Sequence, residues 1–185
     1  MKTISTKNFW LLLLIIVLTG NQIFAQTTKA FSDVSESSIA AKGQRYILAK
    51  QSRTLHLDQI VMQQFLISVS AKGSIAGRTS KAVFNMPMPD GNFSSFRIYE
   101  TSVMEPELAA KFPELKTYAG QGIDDPTATV WLDQTPLGFH AMVLSSKGSV
   151  FIDPYCKGNT ENYICYNKSE QINKGPWKCE THTTI

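Results

Sequence analysis

Apolar residues along the chain recur mostly in short alternating runs, with few helical stripes. "RTLHLD" puts Leu55 and Leu57 on one face and Asp58 where a helix N-cap would stand. "QIVMQQFLI" then sets Ile60, Val61 and Phe65 on one side, so a strand feeding a helix of about three turns is predicted over residues 53–67. The Gly/Ser/Lys-rich residues 70–81 read as a loop or hairpin tip. Phe84, Met86 and Met88 alternate before an Asp90-Gly91 turn, and Phe96 and Ile98 alternate after it, which is a hairpin signal. Pro87 and Pro89 lack the N–H a central strand needs, so this hairpin holds an edge strand. Residues 105–116 offer Pro106 at a first helical position, Leu108 and Phe112 four apart, and Pro113 as a stop. One short helix is expected there, and Gly120 and Gly122 after it are read as turn glycines.

Three alternating runs follow, carried by Ala128, Val130 and Leu132, by Phe139, Ala141 and Val143, and by Val150 and Ile152. "QTPLG" and "SSKG" separate them as turns, and residues 161–167 add a fourth run. The pattern predicts an α+β fold, mainly antiparallel sheet built of hairpins and a meander, with one helix of about three turns and one short helix.

The ends differ from this body. Lys2 and Lys7 precede a 10-residue apolar block from Phe9 to Leu18, and Ala25 offers a cleavage position before Gln26. That block is half the roughly 20 residues needed to cross a bilayer, so residues 1–25 read as a secretory signal peptide and the chain as secreted or periplasmic. Residues 26–40 are polar and read as flexible, 41–167 as the folded domain, and 168–185, with Gly175-Pro176 and Trp177, as a flexible tail. The 18 basic and 15 acidic residues give a net charge of +3. Residues 1–25 carry two lysines and no acid, so their removal leaves 16 against 15, about +1. Interspersed charge of that size excludes an electrostatic nucleic-acid footprint, and after cleavage no membrane span is expected.

Candidate chemistry is sparse. Cys156, Cys165 and Cys179 are the three cysteines, with no CxxC and no zinc-finger spacing. In an exported chain Cys156 and Cys165, flanking a loop between two predicted strands, are expected to pair, with two unpaired thiols as the rival reading. His56 and His140 sit in alternating runs as solvent-facing strand residues, and His182 lies in the tail. Neither HExxH nor GxSxG occurs, so no metallopeptidase ligand pair and no serine nucleophile is present, no metal site is expected within the chain, and the chain by itself is not expected to be an enzyme. Asp124-Asp125-Pro126 reads as turn chemistry, with Ca²⁺ binding or proton sharing by the carboxylates as the sharper alternative.

The strings "FSDVSESS", "GQRYI", "TLHLD", "MPMPDGNFSSFRIYE", "SVMEPELAAKFPELKTYAGQGIDDPTATVWLDQTPLGFHAMV" and "VFIDPY" together resemble the N-terminal pro-region of secreted bacterial reprolysin-like zinc metallopeptidases, of the metzincin group. Asp124, Asp125 and Pro126 belong to the most recognisable of these strings. The resemblance implies a precursor with a signal peptide, an α+β pro-domain and a catalytic domain bearing HExxHxxGxxH, the last not found in this sequence. It leaves a truncated gene product, a fragment of a split precursor or a free-standing pro-domain as readings. It implies an action by binding, in which the pro-domain inhibits the peptidase domain or assists its folding, in cis or in trans, with zinc held only by that domain. By position Cys179 is the candidate thiol for the open coordination site of the partner's zinc. The other reading is an exported binding or adhesion module reusing the fold, with Trp131, Phe139 and Phe151 on a flat face.

Overall fold

The computed structural model describes residues 29–40, 43–45, 47–69 and 82–172. The apolar block from Phe9 to Leu18, the predicted loop at 70–81 and the tail with Trp177, Cys179 and His182 lie outside the described residues.

Nine strands form one antiparallel sheet: β1 (Phe31–Asp33), β2 (Arg53–Leu57), β3 (Val83–Pro87), β4 (Phe93–Thr101), β5 (Lys116–Gly122), β6 (Thr129–Thr135), β7 (Gly138–Ser145), β8 (Gly148–Pro154) and β9 (Asn162–Asn167). Their order is β1-β2-β9-β8-β7-β6-β5-β4-β3, so the predicted hairpin and meander lie side by side and β3 is an edge strand, as its prolines require. Two helices accompany the sheet, α1 (Gln59–Ser68) between β2 and β3 and the short α2 (Pro106–Ala109) between β4 and β5. Among the described residues no helix is long and apolar enough to cross a membrane.

The sheet curls until its two edges meet, making a near-barrel whose interior is filled by alternate residues: Leu55, Phe84, Phe96, Ile98, Val130, Phe139, Ile152 and Tyr163 among them. Side chains close the seam, and no strand pairing joins β1 to β3 among the described residues. Phe31 meets Phe84 edge to face at 6.4 Å. Arg53, buried in β2, donates to both oxygens of Asp33 (2.6 and 2.9 Å) and reaches across the seam to the carbonyls of Met88 (3.0 Å) and Asn92 (2.8 Å). Five donors in a rigid plane let one guanidinium serve three partners, which a lysine could not do.

Asp58 caps α1 as predicted, its carboxylate accepting from the Val61 N–H at 3.0 Å. The buried face differs from the expected one. Met62, Phe65 and Leu66 are turned to the sheet, Phe65 against Phe84 at 4.8 Å, while Ile60 is 69% exposed. Because α1 carries apolar residues around most of its circumference, periodicity alone does not single out a stripe, and contact with the sheet decides it. In α2, Pro106 occupies the first turn as expected, but the helix ends at Ala109, and Leu108 and Phe112 stay partly exposed instead of forming a buried pair.

Two further readings are corrected. The polar stretch after residue 26 contributes β1, whose Phe31 is buried against Phe139 and Tyr163. The glycines of "YAGQG" belong to β5 and make no turn. A Cβ on Gly120 would stand 2.6 Å from Ile98 Cδ1 and 2.9 Å from the Arg97 carbonyl, so glycine is kept there for close approach inside the curl.

Candidate functional site

The meander that fills the interior with one set of residues turns the other set outward. The turn after β6 pairs Thr135 with Gly138, and that register puts Trp131 opposite Met142 and Asp133 opposite His140. The β7–β8 and β8–β9 ladders extend the first row through Phe151 to Tyr166. Two parallel rows therefore cross the outer face: an apolar one of Trp131, Met142, Phe151 and Tyr166, and an ionisable one of Asp133, His140 and Asp153. A recess of about 410 Å³ lies over them, with Val103 at its border.

The ionisable row is bonded internally. His140 Nδ1 is 3.0 Å from Asp153 Oδ1, and the Tyr166 hydroxyl donates to Asp153 Oδ2 at 2.8 Å. The bond to Asp153, with the charges of Asp133 and Asp153, raises the His140 pKa above its ordinary value against the opposing effect of burial. Burial raises Asp133, and the nearby imidazole moderates the rise. Phe151 stacks on Tyr166 at 5.9 Å and carries the Lys168 ammonium 5.3 Å from its ring centre. Trp131 is 46% exposed, an aromatic surface left in water beside a half-buried charged row. Such a face can hold a partner by ring contact and charge, with His140 favoured in its protonated form by the two acids.

The sequence-predicted site residues fall elsewhere. Phe139, grouped with Trp131 and Phe151, points inward and is fully buried. His56 stands exposed on β2, away from His140 on β7. Asp124 and Asp125 act separately: Asp124 Oδ2 accepts from the Ser95 N–H at 2.7 Å, and Asp125 Oδ1 accepts from the Thr127 N–H and hydroxyl at 2.9 and 2.6 Å. The bonds to Thr127 lower the Asp125 pKa, and both acids, with Pro126, shape the β5–β6 turn. Among the described residues no three His, Cys, Asp or Glu side chains are placed to hold a metal ion.

Cys156 and Cys165 are buried free thiols, so the expected bridge is absent from the structure. Cys165 lies opposite Ile152 and donates to the Pro87 carbonyl across the seam at 3.3 Å. Cys156 lies past the end of β8 at Pro154, in the bend before β9, so the two thiols do not face each other on one rung. Cys179, the proposed zinc-directed thiol, lies outside the described residues.

Asp133 and Asp153 as partners of His140 were not anticipated, although the signal was in the turns. Counting outward from the two-residue Pro136-Leu137 and Lys147-containing turns pairs residue 140 with 133 and 153. Compared with known proteins, the chain matches no family model, no curated protein and no solved structure.

Proposed function

We propose that the chain acts by binding, as the pro-domain-like module of an exported zinc metallopeptidase precursor, with its outer meander face set against the peptidase domain to inhibit it or assist its folding. The observation that carries this reading is Trp131, 46% exposed at the border of a recess that also contains Asp133, His140 and Asp153. A half-exposed tryptophan next to desolvated charge is the composition of a protein-binding hot spot. The resemblance of the ordered strings between residues 31 and 166 supports the choice of partner. In this reading residues 1–25 direct export, the zinc belongs to the partner domain, and Cys179 is the thiol available to its open position.

The test is inhibition in trans. The chain, added to the catalytic domain of a reprolysin-like peptidase, should slow peptide hydrolysis, and Trp131→Ala should weaken this by about tenfold or more. Cys179→Ser should weaken it further only if the thiol reaches the zinc. A chain that neither inhibits such domains nor speeds their refolding sinks the proposal. The exposed ring also favours a second reading, an exported binding or adhesion module, for which Trp131→Ala would abolish attachment to a partner other than a peptidase.

A further inference from the structure

Within the recess over the outer face, the polar side chains differ in how far they are already engaged. Both oxygens of Asp153 are taken, one by His140 Nδ1 at 3.0 Å and the other by the Tyr166 hydroxyl at 2.8 Å. The hydroxyl of Thr117, which also lines the recess, donates to the Thr101 carbonyl at 2.6 Å. Asp133 is the exception. His140 reaches its half-buried carboxylate by charge alone, and the carboxylate accepts no hydrogen bond among the described residues. Burial raises its pKa, as befits a carboxylate that has lost water without gaining a partner.

Asp133 and Trp131 are two residues apart on β6 and share its outer face, so an exposed ring stands beside this unengaged acceptor. No lysine or arginine lines the recess, and Lys168 lies over the Phe151 ring, toward the far end of the apolar row from Trp131. With both carboxylates ionised the recess is negative whether or not His140 carries a proton. A complementary ligand is positive, donates hydrogen bonds without needing to receive any, and has a flat face for the indole. A guanidinium meets all three conditions, because it has five N–H donors, no acceptor, and a plane that stacks on aromatic rings while its edge pairs both oxygens of a carboxylate. An ammonium is a more strongly hydrated point charge and meets only the first two. A sugar needs donors as well as acceptors, and the Thr117 and Tyr166 hydroxyls are already engaged. Met142 and Phe151 offer apolar surface for the methylene stem of the guanidinium.

We infer that the recess seats an arginine side chain of a partner protein, its guanidinium over the Trp131 ring and bonded to the Asp133 carboxylate. The inference rests on the reading that the outer face binds a protein, but not on that protein being a peptidase. His140 then adjusts the affinity. It is faced by Asp133 from β6 and by Asp153 from β8, the latter held by Tyr166 of β9. Loss of its proton removes the one positive charge lining the recess, so an arginine binds more tightly as pH rises through the folded-state pKa of His140.

The probe is acetyl-Gly-Arg-Gly-amide, titrated into the isotope-labelled full chain, with the NMR signal of the Trp131 indole N–H as the readout. A saturable shift is expected, weakened about tenfold by Asp133→Asn and about tenfold when citrulline, which keeps the shape without the charge, replaces arginine. The lysine peptide should bind less tightly than the arginine peptide. Glu161→Gln, at an exposed carboxylate outside the recess, should leave the titration unchanged. The affinity should rise between about pH 6 and pH 8.5 in the parent chain but not in His140→Gln. The inference is overturned if the shift does not saturate, if the citrulline peptide binds as tightly, if Asp133→Asn binds like the parent chain, or if the parent's affinity is flat across that pH range. Tighter binding of cellobiose than of the arginine peptide would give the face to a sugar and overturn it as well. A chain that binds the peptide but neither inhibits peptidases nor speeds their refolding keeps this inference and removes the peptidase reading. Inhibition that survives Asp133→Asn, without peptide binding, does the reverse.

Discussion

At the residue scale, His140 makes the fold sensitive to pH. Its pKa is raised from 6.5 by the bond to Asp153 and the charges of Asp133 and Asp153, so the protonated form is favoured in the folded chain. A group raised in this way contributes stability that is fully present below pH 6.5 and is lost as pH rises through the folded-state value. Asp133, raised from 3.8 by burial, acts in the same direction, its contribution being lost as pH rises from 3.8 through its folded-state value. The urea midpoint of the parent chain should fall between pH 6 and pH 8.5, and that of His140→Gln should fall less; equal slopes would remove His140 from the account. Gly120 is a second position where one atom decides. Gly120→Ala puts a Cβ against Ile98 and the Arg97 carbonyl, and overpacking of this kind costs about 1–3 kcal/mol, to be read from the same denaturation curves.

At the element scale, how well a segment could be read in the sequence depended on how one-sided its environment is. The meander strands alternate cleanly because one face fills the interior and the other meets water, and their turns fix the register. The same alternation carried His140, Trp131 and Phe151 to the outer face, yet Phe139 went inward because it is an odd number of residues from His140. β5 was hidden because Gly120 and Gly122 stand where apolar side chains would have marked it, Gly120 being crowded by β4 and β6 and Gly122 by Asp125 and Ala128 of the β5–β6 turn. β1 is three residues long, too short to show a period. The cysteines illustrate the limit of spacing as a guide: the eight residues between Cys156 and Cys165 left open whether strand geometry would bring them together. Both thiols should resist alkylation in the folded chain, with Cys165 also slowed by a pKa pushed up to about 12 by burial, and both should label in denaturant without any reductant. A labelling step that requires reductant would mean the bridge exists.

At the scale of the whole molecule, a nine-stranded sheet that almost closes leaves one line held by a few side chains. Arg53 is the principal fastening, and Arg53→Met would remove the charged donor that links Asp33 to the Met88 and Asn92 carbonyls, which would keep only the Gly91 and Met88 backbone N–H groups, at a cost of about 1.5–3 kcal/mol in unfolding free energy. Arg53→Lys should recover little, because a point charge does not reproduce the planar fork. Everywhere else a strand can leave only by breaking its ladder bonds on one or both sides, whereas β3 at the seam is held on its outer side by contacts such as Arg53 with Met88 and Cys165 with Pro87. Amide protons should accordingly exchange with solvent in bands that follow the strands, earliest at β1 and β3 and latest across β6 to β8. Measured in heavy water, the protein would reveal where it parts before it reveals how firmly it is folded.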